Sequence, residues 1–427
     1  MSRLPIIIIG NGISGSTVAR EIRKTLDVPI VMISEESPYF FSRTALMYVF
    51  MGHMQWRELE PYERSFWSKN NIDLLQAKVC SIDPENSLLT LENGNHLSYE
   101  KLVIASGSKP KFYEWKGQTL KGVQGFYSKQ DLESLESWAK DTQQAVIVGG
   151  GLIGIELAEM LCSRGITVHF LVRENYFWSD VLSPEEGDLL HQHIQAHGVI
   201  LHLETELIEI KGDDSGRASA VITSKGDLLE CTFVGITTGV VPNIEFLTNS
   251  SIDTDRGIMV DKYLCTNHPK VFAVGDCAQL RNPPPHRKPI ESVWYTGRMM
   301  GETLAQTLCG NKTAYQPGHW FNSSKFFDIE YQTYGNISPQ PSSSEKHFFW
   351  INSQENIALR VAYHPKTSLF LGLNAFGLRI RHEQIDQWLY QKISVQNLME
   401  QLDLLNFNPE FSKSYTKQIL IAWQNRQ

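Results

Sequence analysis

At 427 residues the chain exceeds one ordinary core and suits two or three domains. Its composition, 42% hydrophobic and 20% charged, is that of a folded soluble protein, and a formal charge of −8 excludes a global basic field for nucleic acid or anionic membrane. No apolar run reaches the roughly 18 to 20 residues that span a bilayer, so no membrane span is expected. Cys80, Cys162, Cys231, Cys265, Cys277 and Cys309 are scattered with no C-x-x-C spacing, which predicts reduced thiols in a cytoplasmic protein.

The chain opens MSRLPIIIIGNGISGSTVAR. Ile6, Ile7, Ile8 and Ile9 read as a strand buried on both faces of a parallel sheet. The stretch is too short for a secretory leader. Gly10, Gly12 and Gly15 follow in G-x-G-x-x-G spacing, and residues 14–23 continue as a helix. In such a unit the first glycine makes the turn, the second admits a pyrophosphate, and the third seats the helix on the strand. The helix N-terminus then offers unpaired N–H groups to phosphate. A second apolar segment, VPIVMIS, ends at Glu35 and Glu36, and Glu35 stands where an acid for the ribose belongs.

The pattern returns at AVIVGGGLIGIELAEML, residues 145–161, with Gly149, Gly151 and Gly154. Two such units imply two nucleotides, and the reaction class that uses both is electron transfer between a flavin and a nicotinamide dinucleotide. FAD and NAD(P)H are therefore the expected cofactors.

These motifs resemble the FAD- and NAD(P)H-dependent pyridine nucleotide oxidoreductases, the superfamily that includes disulfide reductases, ferredoxin and rubredoxin reductases, and apoptosis-inducing factor. KLVIASGSKP at 101–110, with Ser106 and Gly107, looks like the strand and turn closing the first part of the FAD domain. TTGVVPNIEFL at 237–247 resembles the second crossing between domains, and KVFAVGDCA at 270–278 is similar to the motif in which an aspartate, here Asp276 after Gly275, accepts from the flavin ribitol. There the following helix points its N-terminus at the pyrophosphate. The resemblance implies an α/β fold of two Rossmann-like domains, the second inserted in the first, plus a C-terminal α/β domain. The expected divisions are 1–112 and 238–318 for FAD, 113–237 for NAD(P)H, and 319–427 for a segment that in relatives serves the flavin site or a homodimer interface.

Relatives that reduce disulfides place a redox cysteine soon after the ribose acid, whereas this chain has no cysteine before Cys80. Without a thiolate there, disulfide or persulfide chemistry is not expected. Arg43 occupies the position of the arginine of ferredoxin-reductase relatives, where a guanidinium serves the FAD phosphate or the reduced flavin, with a surface salt bridge as the plain alternative. Those relatives carry a lysine five residues on, and Tyr48 stands there instead. Glu156 matches a glutamate found near the nicotinamide carboxamide, and equally fits a first-turn acid on a helix dipole. His193 and His197 lie four apart on a predicted helix, but without a third ligand they read as a solvated face, and no metal site is expected.

No nucleophile, acid or base stands out, so no catalytic side chain is expected and the acceptor reads as a small iron–sulfur protein. Trp320 and Phe321 are candidates to cover the flavin, and the basic loop RNPPPHRK at 281–288 is a candidate docking contact. NAD(P)H oxidase activity with dioxygen and a non-enzymatic redox sensor like apoptosis-inducing factor remain open. Alignment with NADH-specific relatives puts Val172 where an acid would hold the ribose 2′-hydroxyl, and Arg173 beside it leans the reading toward NADPH.

Overall fold

The computed structural model describes residues 3–426, which form two compact units. The first takes the chain up to Lys111, then Gly125–Lys140 and Gly239–Pro317. The second takes Phe112–Gln124, Asp141–Thr238 and the chain from Gly318 onward. The C-terminal segment thus groups with the second fingerprint, and the stretch 125–140 with the first.

In the first unit a five-stranded parallel sheet runs in the order Val271–Ala273, Lys101–Ile104, Ile6–Ile9, Ile30–Ser34, Ile72–Gln76. Every residue of Ile6–Ile9 is buried, as expected for a central strand covered on both faces. Helix Ile13–Arg23 follows the first glycines and crosses helix Trp294–Leu308 closely. A Cβ on Gly297 would stand 2.6 Å from Ser14 Oγ and one on Gly301 2.8 Å from Ser14 O, so the crossing needs residues without side chains. The antiparallel pair Ser108–Pro110 and Val240–Pro242 joins the two places where the chain leaves and re-enters this unit.

The second unit repeats the parallel design in the order Ile200–His202, Thr167–Leu171, Gln144–Val148, Phe233–Ile236, Val123–Gln124. It adds an antiparallel sheet of five strands, ordered Phe321–Phe326, Ile329–Gly335, Phe370–Phe376, Ile357–Tyr363, Lys346–Asn352. The alternation in SLFLGLNAF yields the strand Phe370–Phe376, and the amphipathic run after it yields helix His382–Gln391. One face of this sheet packs Phe348, Leu359 and Leu373 against Trp388, Leu398 and Trp423 of the helices that follow. Arg360 and Asn374 instead meet Glu186 of helix Pro184–Ala196, at 2.8 and 3.3 Å, with Glu186 and Arg360 both fully buried. No helix among the described residues is long and apolar enough to cross a membrane.

Candidate functional site

The three glycines of each fingerprint do different work. Gly10 has φ +102, and a Cβ there would lie 2.1 Å from the carbonyl oxygen of Ala105. A Cβ on Gly15 would lie 2.0 Å from Gly10 O, so this glycine lets the helix sit on the strand. Gly12 differs: a Cβ there would meet nothing within 4 Å. It faces open space, it caps helix Ile13–Arg23, and no side chain bonds the first-turn N–H groups. The second unit repeats this. A Cβ on Gly149 would meet Thr237 O at 2.6 Å, one on Gly154 would meet Gly149 O at 2.5 Å, and Gly151 caps helix Leu152–Ser163 facing open space with no side-chain cap. Each unit therefore presents an uncapped helix N-terminus above a parallel sheet, the fit that a dinucleotide pyrophosphate requires.

Around the first cradle, Asp276 follows the strand Val271–Ala273 in the short turn Gly275–Cys277. A Cβ on Gly275 would stand 2.4 Å from Ser14 Oγ, which holds this turn against the fingerprint helix. The helix expected directly after Asp276 is only one 3₁₀ turn. Strand Ala278–Leu280 and a proline-rich loop intervene before helix Trp294–Leu308, because the three prolines at 283–285 cannot enter a helix interior. Burial raises the Asp276 carboxyl, while the charge of Arg43 and the Tyr127 hydroxyl pull the other way.

Tyr127 was not foreseen. Its hydroxyl accepts from the Ser108 N–H at 3.1 Å and faces Asp276 Oδ2 at 3.5 Å, and a Cβ on Gly107 would lie 3.1 Å from it. Burial pushes this hydroxyl up to about 12, with the Asp276 charge adding to it. Ser106 turns away, its hydroxyl donating to Asn243 O at 2.7 Å. The guanidinium of Arg43 lies 4.4 Å over the Tyr127 ring and forms a two-pronged pair with Glu36 at 2.6 and 2.9 Å. Arg43 also donates to Tyr127 O at 2.6 Å. Of the two adjacent acids, Glu36 is held by Arg43 and by the Lys129 N–H, whereas Glu35, the expected ribose acid, is exposed at the end of strand Ile30–Ser34. Tyr48 stacks on His53 at 6.2 Å.

In the second unit, burial and then the charge of Glu159 push the Glu156 carboxyl up to about 7. Glu159 itself pairs with Lys325 at 2.8 Å. Val172 is fully buried, 2.9 Å from where a Cβ on Gly150 would be, so its side chain supports the glycine turn from below. Arg173 is largely exposed and pairs with Glu174 at 2.8 Å. Phe321 packs on His382 at 4.5 Å.

The loop 281–288 is less basic than its sequence. Arg287 is buried against Glu291 at 2.5 Å, and Arg281 pairs with Asp253 at 2.6 Å. All six cysteines are free. Burial raises the thiol of Cys277, pushes Cys162 up to about 11 and pushes Cys231 up to about 12, so none of these three is a thiolate at neutral pH.

Comparison with known proteins agrees with this geometry. A rubredoxin-NAD(+) reductase of Ectopseudomonas oleovorans is 25% identical over 73% of this chain and 81% of its own length. The assimilatory nitrate reductase electron transfer subunit of Bacillus subtilis is 27% identical over 73% of this chain, which spans only 40% of that longer relative. Among solved structures, a chain of the covalent putidaredoxin reductase–putidaredoxin complex superposes with a TM-score of 0.83 at 19% identity, covering 99% of this chain and 100% of that one, and so shares the fold. The family model described as pyridine nucleotide-disulphide oxidoreductase runs from residue 4 to residue 301, from the foot of the first strand into helix Trp294–Leu308, and this chain belongs to that family.

Proposed function

We propose that the chain is a cytoplasmic flavoprotein reductase that passes electrons from NAD(P)H through FAD to a small iron–sulfur protein of the ferredoxin or rubredoxin type. The observation that carries this reading is the pair of open glycine cradles at Gly12 and Gly151 in a chain whose buried thiols are held protonated. FAD supplies a hydride acceptor that can release electrons singly, and NAD(P)H supplies the hydride. The protein's own residues bind and orient. The N–H groups after Gly12 hold one pyrophosphate, Glu35 the adenosine ribose, and Asp276 a ribitol hydroxyl. Gly107, the backbone of Ser106 and the Arg43–Glu36 pair serve the first cradle in this reading, and Gly149, Gly151, Gly154, Glu156 and Arg173 serve the second. The relatives named for rubredoxin and for putidaredoxin support a protein acceptor. Unpaired, scattered cysteines support a reducing compartment.

The test is anaerobic reduction of the purified, FAD-loaded protein with NADH or NADPH, followed by mixing with ferredoxin, rubredoxin, quinone and dioxygen in turn. The expected result is fastest reoxidation by an iron–sulfur protein, slowed by salt. Reoxidation by dioxygen outpacing every protein acceptor would overturn it.

A further inference from the structure

Helix Pro184–Ala196 lays one face on the C-terminal sheet. Glu186 and His193 are seven residues apart and His197 four more, spacings that return to the same side of a helix. Glu186 meets Arg360, and two turns further on His193 meets the hairpin turn Phe327–Asp328 between strands Phe321–Phe326 and Ile329–Gly335. On that side of the helix Glu186 is taken by Arg360, and the hairpin turn delivers a third ligand beside the two histidines. We propose that His193, His197 and Asp328 form a binding site for one divalent transition ion, best suited to zinc.

His193 Nε2 lies 2.7 Å from Asp328 Oδ1, and His197 Nε2 lies 3.7 Å from the same oxygen. One ligating atom from each residue lies within 4.8 Å of the other two. Zinc bonds of about 2.0–2.2 Å in a tetrahedron hold ligand atoms roughly 3.3–3.5 Å apart. The 3.7 Å separation is a few tenths of an ångström wider than this. The 2.7 Å contact is a hydrogen-bond length and must open slightly, which rotation of the exposed Asp328 side chain provides.

The tautomer of His197 also favours an ion. His197 Nδ1 lies 2.9 Å from the carbonyl oxygen of His193, and a carbonyl only accepts. Nδ1 therefore carries the proton, and Nε2 presents a lone pair toward Asp328. The ring is fixed by stacking on Phe327, with centroids 4.3 Å apart and planes 24° from parallel. His193 Nδ1 faces the Asn356 amide nitrogen at 3.4 Å; turning that carboxamide end for end brings its oxygen to Nδ1, which then carries the proton and frees Nε2 for an ion. Two imidazoles and one carboxylate suit zinc, copper or nickel better than magnesium or calcium, which prefer oxygen. Three protein ligands leave a fourth position for water, reached past the exposed Asp328. Such an ion would tie the helix of the nicotinamide-type fold to the hairpin of the C-terminal sheet.

The competing arrangement is a plain His193–Asp328 hydrogen bond, which makes no use of His197. The two separate cleanly. FAD-loaded protein, stripped with chelator and dialysed, is titrated with Zn²⁺ by calorimetry, with His193 left intact because it is buried. The expected result is saturable binding of one ion per chain, weakened at least roughly tenfold in His197→Ala and in Asp328→Asn, and a zinc-dependent rise in thermal midpoint in the parent protein alone. Affinity unchanged in both variants, or no saturable binding in the parent, would overturn the site. Because zinc binding is read directly, the outcome does not depend on which acceptor the flavin serves.

Discussion

The Tyr127 hydroxyl stands between the Ser108 N–H and the Asp276 carboxylate, at 3.1 and 3.5 Å, and so links the turn after one strand to the turn after another. Replacing Tyr127 with phenylalanine leaves a buried N–H without its acceptor and removes one of the donors that face Asp276. The Tyr127→Phe protein should lose about 1–3 kcal/mol of stability in denaturant unfolding and release FAD more readily on dialysis. Unchanged values in both assays would mean that water replaces the hydroxyl fully.

Asp276 is the group expected to touch flavin directly. Asp276→Ala should weaken FAD binding by roughly ten- to a hundredfold, the equivalent of one charged hydrogen bond of about 1.5–3 kcal/mol. Fluorescence of released flavin measures this. Asp276→Asn, which keeps the shape, should fall between the two.

A variant with all six cysteines changed to serine should keep electron transfer from NAD(P)H to a protein acceptor. Its cost should appear as stability, chiefly at Cys277, whose sulfur is fully buried and packed 3.4 Å from Val274 O. Loss of flavin reoxidation in a folded variant would reveal a redox thiol.

Glu156 carries a pH signature. Its folded-state pKa of about 7 lies above the ordinary carboxyl value of 4.5, so the folded protein binds the proton more tightly than the unfolded chain does. The associated stability is fully present below pH 4.5 and is lost as pH rises through 7. Thermal melts of Glu156→Gln should match the parent at low pH and exceed it by a few degrees above neutrality. A constant difference across that range would show that Glu156 titrates normally.

Arg173 tests coenzyme choice. Its present partner is Glu174, so an NADPH 2′-phosphate must compete with that carboxylate. Arg173→Ala should lower kcat/KM for NADPH by roughly tenfold or more and leave NADH nearly unchanged. Equal effects on both would place coenzyme selection elsewhere.

What could be read from the sequence was what the chain builds locally. Strand, glycine turn and helix are contiguous at Ile6–Arg23 and again at Gln144–Ser163, so composition and spacing suffice. Adjacent residues were harder. Glu35 and Glu36 look alike in sequence, and only the arrival of Arg43 and the Lys129 N–H distinguishes the acid that is held from the one left free. Tyr127 lay beyond local pattern. Ser128 and Asp131 form a capping box that marks a helix start, but nothing near them announces that the tyrosine before them meets Ser108 and Asp276. The free charge of the loop 281–288 was harder to read for the converse reason, since Arg287 finds its partner Glu291 only four residues on and is buried with it.

The glycine crossing of helices Ile13–Arg23 and Trp294–Leu308 has a consequence for biosynthesis. The first fingerprint leaves the ribosome early, yet its sheet waits for the edge strand Val271–Ala273 and its helix waits for Gly297 and Gly301. The second fingerprint sheet, Val123 through Ile236, is complete in the chain before that point. The nascent protein should therefore settle its inserted nicotinamide-type sheet while strand Lys101–Ile104 of the first sheet is still unpaired on one side. Late closure of such distant contacts is slow and leaves apolar edges open to misassembly. A chain cut before residue 297 would carry the entire glycine signature of a flavoprotein and be unable to retain the flavin.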